Sequence, residues 1–363
     1  MKAFLILEDG SVFTGESIGS AREVISEIVF NTAMAGYMEV LTDPSYVGQS
    51  VVMTYPLIGN YGICYEDMES EKPWVDGFIV RELSRMPSNF RSQESIQSFL
   101  ERNDIPGISG IDTRALVKLV RSKGIMNGMI TTNENYNLDE IIPKIKQYKI
   151  VRAVERATCQ EVRTITPSGK SSKNYTVAVL DLGMRKSIEA ALLDRGCAVT
   201  VYPAFTKAED IINSKPEGIV LTNGPGDPKE CKDIIDEVKK LVESRIPIFG
   251  IGLGHLVLAL ANGFNTSKMA NGHYGMNYPV KNVKNGKVEL TSQNHRYVVN
   301  ANSIKAHVAE INFTNINDGT VEGLHYLGTN AFSVQFNPKV GKKSVNGNLY
   351  DEFINMMEVN QIA

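Results

Sequence analysis

Short apolar runs broken by turn residues fill the chain up to about residue 150. Phe4-Leu5-Ile6-Leu7 meets Asp9-Gly10, and Ser11-Val12-Phe13 resumes the strand-like pattern, which predicts a hairpin. Further strands are expected at 27–30, 50–54 and 77–80, and helices at 92–102 and 112–122. Asp112 suits the N-cap of the second helix, because its carboxylate can accept an otherwise orphan backbone N–H. Periodicity fades from 151 to 173, where Thr164-Ile165-Thr166-Pro167-Ser168-Gly169-Lys170-Ser171-Ser172-Lys173 is polar and turn-rich, and a linker is expected there.

The second half has a different rhythm. An apolar run at 175–180 ends in Asp181-Leu182-Gly183, and a helical pattern then continues to Arg195 and stops at Gly196. Strands follow at 198–202, 218–221 and 246–249, separated by helical patterns at 208–213 and 229–244. Continuous apolar strands alternating with helices mark a parallel sheet covered on both faces. After residue 275 the pattern changes to alternating, hairpin-like strands, with a last helix from Leu349. The expected fold class is therefore α/β. A mixed α/β domain (1–150) and a linker (151–173) precede a doubly wound domain (174–363) with antiparallel additions.

Composition narrows the function more than the fold. The 363 residues carry 38 Lys+Arg against 41 Asp+Glu, a net charge of −3, so no electrostatic footprint for nucleic acid or an anionic membrane is expected. No apolar run approaches the roughly 18 residues of a membrane span. Cys64, Cys159, Cys197 and Cys231 are scattered without a CxxC pair, which argues against a zinc site and a disulfide framework. A soluble protein of the reduced cytoplasm, binding no metal, is the expectation.

Two glycine-rich turns are the candidates for chemistry. Gly250-Ile251-Gly252-Leu253-Gly254-His255 follows a buried strand and opens a helical run at 256–261, the setting of a nucleophile elbow. A hydrolase needs Ser or Cys at its centre, and Gly252 has no side chain; taken alone, a plain packing turn is the commoner reading of such a glycine-rich strand–helix junction. Thr222-Asn223-Gly224-Pro225-Gly226-Asp227-Pro228 ends another strand, and its backbone N–H groups could hold an oxyanion or simply form a turn. Both lie at strand carboxyl ends, where open α/β sheets place ligands.

Together these turns resemble the class I glutamine amidotransferases. The first half resembles the amino-terminal domain of carbamoyl phosphate synthase small chains. It does so through Leu7-Glu8-Asp9-Gly10, Phe30-Asn31-Thr32, Gly36-Tyr37, Leu41-Thr42-Asp43-Pro44-Ser45-Tyr46, Thr54-Tyr55-Pro56-Leu57-Ile58-Gly59-Asn60-Tyr61-Gly62 and Gly107-Ile108-Ser109-Gly110-Ile111-Asp112-Thr113-Arg114-Ala115-Leu116. The resemblance implies a large-chain partner that takes ATP, magnesium and bicarbonate, makes carbamoyl phosphate for arginine and pyrimidine synthesis, and receives ammonia from the small chain. It implies no cofactor in this chain.

The resemblance also locates a triad. Where the family has GxCxGHQ, Gly252 stands for the nucleophile; where it has HPE, Asn337-Pro338-Lys339 puts Asn337 for the base and Lys339 for the orienting Glu. Glycine forms no thioester, asparagine has no titrating base, and lysine brings the wrong charge to orient an imidazole. His255, His273, His295, His307 and His325 read as turn, hairpin or surface residues, and no cysteine follows Cys231 to supply another nucleophile.

Carried over in the same way, the glutamine pocket keeps Ser45, Gly224, Gly226 and Asn294 and includes Leu253; Tyr297 stands for the usual Phe. Leu256 replaces a substrate-holding Gln, and Arg296 replaces a Gly, so glutamine binding is in question. Arg296 reads either as a cation crossing the old cleft or as a solvated hairpin arginine. Several changed positions point to natural loss rather than to one engineered substitution. The expected function is a glutaminase-inactive small chain that supports an ammonia-using large chain. An active glutaminase and an anion sensor built on Arg296 and Lys339 are the alternatives.

Overall fold

The computed structural model describes residues 1–167, 175–341 and 348–362. The chain divides into two compact units, Met1–Ala153 with Ala270–Gly275, and Val154–Met269 with Met276–Ala363. No helix among the described residues is long and apolar enough to cross a membrane.

Closure organises the first unit. β1 (Lys2–Leu7) turns through Asp9-Gly10 into β2 (Val12–Ser17), with Leu5 opposite Phe13 and the Ser11 N–H donating to Asp9 Oδ1 at 2.9 Å. Next come β3 (Val24–Asn31), α1 (Tyr37–Thr42), β4 (Gln49–Met53), β5 (Leu57–Ile58), β6 (Gly77–Ile79) and β7 (Glu82–Leu83). The unit continues with α2 (Ile96–Arg102), β8 (Gly107–Ser109), α3 (Thr113–Lys123), β9 (Met126–Thr131) and α4 (Leu138–Gln147). A barrel closes in the order β1-β2-β8-β6-β4-β3-β9, with β9 returning antiparallel to β1, while β5 and β7 form a separate parallel ribbon. Closing the sheet removes the exposed edges that invite unwanted pairing. Leu5, Ile28, Val52, Ile79, Ile108 and Ile130 share one buried cluster.

Caps set the helix starts. Asp112 accepts the Ala115 N–H at 3.0 Å and begins α3, as its sequence position predicts. The helix expected from residue 92 begins at Ile96 instead, because Gln93 and Glu94 spend their backbone N–H and C=O on Ile63, each at 2.9 Å. Ser95 then caps it, accepting the Ser98 N–H at 3.1 Å. Helix α4 is not among the expected elements, although Leu138, Ile141, Ile142 and Ile145 fall at helical spacing; Pro143 lies within it.

The stretch expected as a linker carries structure of its own. It contains α5 (Ala153–Ala157) and β10 (Arg163–Ile165), which pairs antiparallel with β12 (Cys197–Pro203); residues 168–173 of that expectation lie outside the described residues. Its polar surface reflects an edge position, with Arg163 and Thr164 exposed.

In the second unit, β11 (Tyr175–Asp181), α6 (Lys186–Leu193), β12, α7 (Ala208–Asn213), β13 (Gly218–Leu221), α8 (Lys232–Glu243), β14 (Ile248–Ile251) and α9 (Leu253–Ala261) alternate. The helical pattern at 229–244 resolves into a 3-10 turn at Pro228–Glu230 followed by α8. Then come β15 (Thr266–Asn282), β16 (Val288–Val299), β17 (Ala309–Asn315), β18 (Val321–Tyr326), β19 (Ala331–Val334) and α10 (Leu349–Ile362). The strand order is β10-β12-β11-β13-β14-β19-β18-β17-β15-β16. β12, β11, β13, β14 and β19 run parallel, and β18 and β17 continue antiparallel. Ile211, Val238 and Val257 from α7, α8 and α9 share one core; Ile188 of α6 and Phe353 of α10 belong to the other. This is the α/β doubly wound arrangement with antiparallel additions that the alternation predicts.

One carboxylate ties two of these helices together. Glu237 on α8 accepts the Ala208 N–H at 2.9 Å at the start of α7, with Lys240 and Lys207 at 3.0 and 3.2 Å. The backbone hydrogen bond, then Lys240 and Lys207, hold its carboxyl down at about 2. A folded-state value below the unfolded one makes Glu237 stabilising above about pH 4.5, with that contribution lost as pH falls toward 2. Glu237→Gln should therefore be less stable than the parent at neutral pH, with the gap closing in acid. Chemical denaturation at pH 7, 5 and 3 checks it; a gap that does not shrink contradicts it.

Candidate functional site

The site is built where β14 passes into α9. Gly252 joins them at φ 57 and ψ −110, a conformation that side chains rarely adopt. Its N–H donates to Val334 O at 2.9 Å, and the Gly254 N–H donates to Thr222 O at the same distance, so the turn is fastened to β19 on one side and β13 on the other. A Cβ at Gly254 would fall 2.2 Å from Leu221 O, so only glycine lets α9 approach the sheet this closely. A Cβ at Gly252 would meet Asn223 Cβ at 3.1 Å and Gln335 O at 3.9 Å. The elbow geometry is present, and its centre has no side chain.

Within the second unit, the other positions of interest lie on the loop after β13, on α9 and on β16. Gly224 and Gly226 lie in the loop after β13, which Asn223 anchors by donating from Nδ2 to Gly183 O at 3.0 Å. Leu253, Leu256 and Tyr297 all enter the buried apolar core beneath α9. Leu256 is thus a packing residue, at the place where the resemblance implies a substrate-holding amide. Asn294 is half-buried on β16. Ser45 belongs to the first unit, where it sits in a 3-10 turn and donates its N–H to Asp43 Oδ1 at 2.9 Å.

Asn337 and Lys339 follow β19 directly. The Asn337 N–H donates to Ser292 O on β16 at 2.9 Å, and the Lys339 ammonium is paired with Glu289, also on β16. Sequence reasoning missed Glu289, because nothing in a lone acidic residue announces a partner fifty positions away. Lys339 is committed to that carboxylate, which weakens the anion-sensor alternative. The reading of Arg296 as solvated is corrected: the residue is 8 % exposed, with its guanidinium 5.2 Å from the Tyr297 ring centroid. Stacking on an aromatic face lets a guanidinium be buried with less loss of solvation than a bare ammonium.

His255 also departs from its expected place in a turn. It is fully buried on α9, with Nδ1 2.7 Å from Ser333 Oγ, and burial pushes its pKa down to about 3. His295 spends both ring nitrogens, Nδ1 on Tyr297 O at 3.0 Å and Nε2 on Gln293 Oε1 at 2.9 Å. His273, His295 and Glu322 bring their ring nitrogens and a carboxylate oxygen within 4.8 Å of one another, and Glu322 accepts from Asn315 Nδ2 at 3.0 Å. Burial pushes the thiols of Cys159, Cys197 and Cys231 up to about 12, so they stay protonated and poorly nucleophilic near neutral pH.

Comparison with known proteins agrees with the two folds described. Residues 5–130 match the family described as carbamoyl-phosphate synthase small chain, CPSase domain, and residues 178–356 match glutamine amidotransferase class-I. A curated carbamoyl phosphate synthase small chain from Clostridium perfringens is 45% identical over 356 residues, covering 98% of this chain and 99% of the relative. Those from Staphylococcus epidermidis and Oceanobacillus iheyensis are each 44% identical, covering 98% and 99% of this chain and 96% and 97% of the relatives.

Proposed function

We propose that this chain, which belongs to the carbamoyl phosphate synthase small-chain family, acts as a small subunit that does not hydrolyse glutamine. It would support a large chain that takes its nitrogen from free ammonia. The observation that carries the reading is Gly252: a formed elbow whose central residue offers no nucleophile. Among the described residues, none of the groups named above takes its place. His255 is buried and neutral, the three thiols are held protonated, and the segment that would carry the base and its orienting Glu presents Asn337 and Lys339. A glycine in the elbow also relieves the roughly 1–3 kcal/mol that a side chain stores in such a conformation. That strain serves no purpose once catalysis is gone.

The first unit, where the family's motifs are well kept, is read as the docking part, and the large chain as the partner. Two measurements test the pair of claims. The isolated chain should form no covalent adduct with a glutamine-like chloroketone at residues 250–256; a labelled peptide there, seen by mass spectrometry, overturns the inactive reading. Co-expressed small and large chains should elute together at micromolar concentration in size-exclusion chromatography, where a dedicated subunit interface holds. Separate elution overturns the subunit reading.

A further inference from the structure

We propose that Glu289 is the positioning residue for the segment that follows β19: with Lys339 it forms a charge clamp that fastens residues 335–341 to β16. The clamp lies within the second unit and does not depend on whether the elbow catalyses. The segment leaves the sheet at Gln335, whose N–H still donates to Glu322 O at 2.8 Å. Phe336 then packs edge-on against Phe313, with 5.4 Å between centroids. The single bridge between Asn337 and Ser292 turns the chain onto β16, and two residues later the Lys339 ammonium meets Glu289. Beyond it, Asn348 Nδ2 donates to Gly341 O at 2.7 Å.

Burial decides which partner dominates. The Glu289 side chain is 10% exposed and that of Lys339 50%, so the carboxylate is fixed within the fold and the lysine reaches in to it. An exposed ion pair contributes little, but withdrawing a cation from a nearly buried carboxylate forfeits a charge-assisted hydrogen bond. An acidic residue at position 339 would set two carboxylates against each other and push the segment off β16. Glu289 therefore selects a cation at 339.

The test is a charge swap in the full chain, read by hydrogen–deuterium exchange of the peptide spanning 335–341. Lys339→Glu and Glu289→Lys should each speed exchange there by about tenfold, the scale of one charge-assisted hydrogen bond. The double variant Glu289→Lys/Lys339→Glu should return to within about twofold of the parent, since a merely structural defect at either position would not be cured by a second. Peptides from β11 should keep the parent rate throughout. If a single reversal exposes β11 as well, Lys339→Gln replaces it and should speed the 335–341 peptide alone, by a few-fold. Unchanged exchange in the single variants, or a swap as fast as either of them, overturns the clamp.

Discussion

Gly252→Cys on its own should release no more ammonia from glutamine than the parent chain. The new thiol would sit at the right turn, strained but tolerable beside Asn223 Cβ at 3.1 Å. It would find no base, because Asn337 occupies that place and His255 is buried and bonded to Ser333. A nucleophile and its base act as a unit, and restoring one member of a dismantled set recovers almost nothing of an acceleration on the order of 10^6. The triple variant Gly252→Cys, Asn337→His, Lys339→Glu assembles the right groups, but it sets a second carboxylate against Glu289. Adding Glu289→Gln to the triple should therefore raise ammonia release by about tenfold or more, since like charges disfavour the ionised orienting carboxylate. Weak binding should persist until Leu256→Gln and Arg296→Gly are also made. Clear turnover by the single variant would mean that a base comes from elsewhere in the chain.

Gly254→Ala should cost at least about 3 kcal/mol of stability, because overpacking against rigid backbone cannot relax as a side-chain contact can. The added Cβ would lie 2.2 Å from Leu221 O, and moving it away means lifting α9 from the sheet on which the core is built. For a domain of this size the melting temperature should fall by roughly 6–12 °C. Gly328→Ala is avoided for its positive φ, and Gly341→Ala, with no described atom within 4 Å of its Cβ, is the control and should change little. Differential scanning calorimetry of both variants decides it, and equal melting temperatures would contradict the close approach.

Much of this was legible in the chain because local chemistry wrote it. The Asp9-Gly10 hairpin, the Asp112 cap and the buried strands leading to Gly224 and Gly252 each follow from residues within a few positions of one another. What escaped depends on partners far apart. The commitment of Lys339 to Glu289 needs the path taken after β19, and the burial of Arg296 is set by the packing of β16, although the ring it stacks on belongs to its sequence neighbour Tyr297. His255 looks like a turn residue in sequence and is a core residue in space, because the elbow glycines draw α9 down onto β19. The strand at 163–165, inside the stretch expected as a linker, escaped for a different reason. An edge strand needs only one buried side, so its polar residues read as loop.

The central claim is that this small chain supports carbamoyl phosphate synthesis without hydrolysing glutamine. The direct measurement is carbamoyl phosphate formation by the reconstituted small and large chains, with ATP and bicarbonate, and either ammonium or glutamine as sole nitrogen source. Ammonium should sustain the reaction, and glutamine should give no product above a nitrogen-free control, because Gly252 offers glutamine no nucleophile. Glutamine-driven synthesis at a rate comparable to the ammonium reaction would contradict the account.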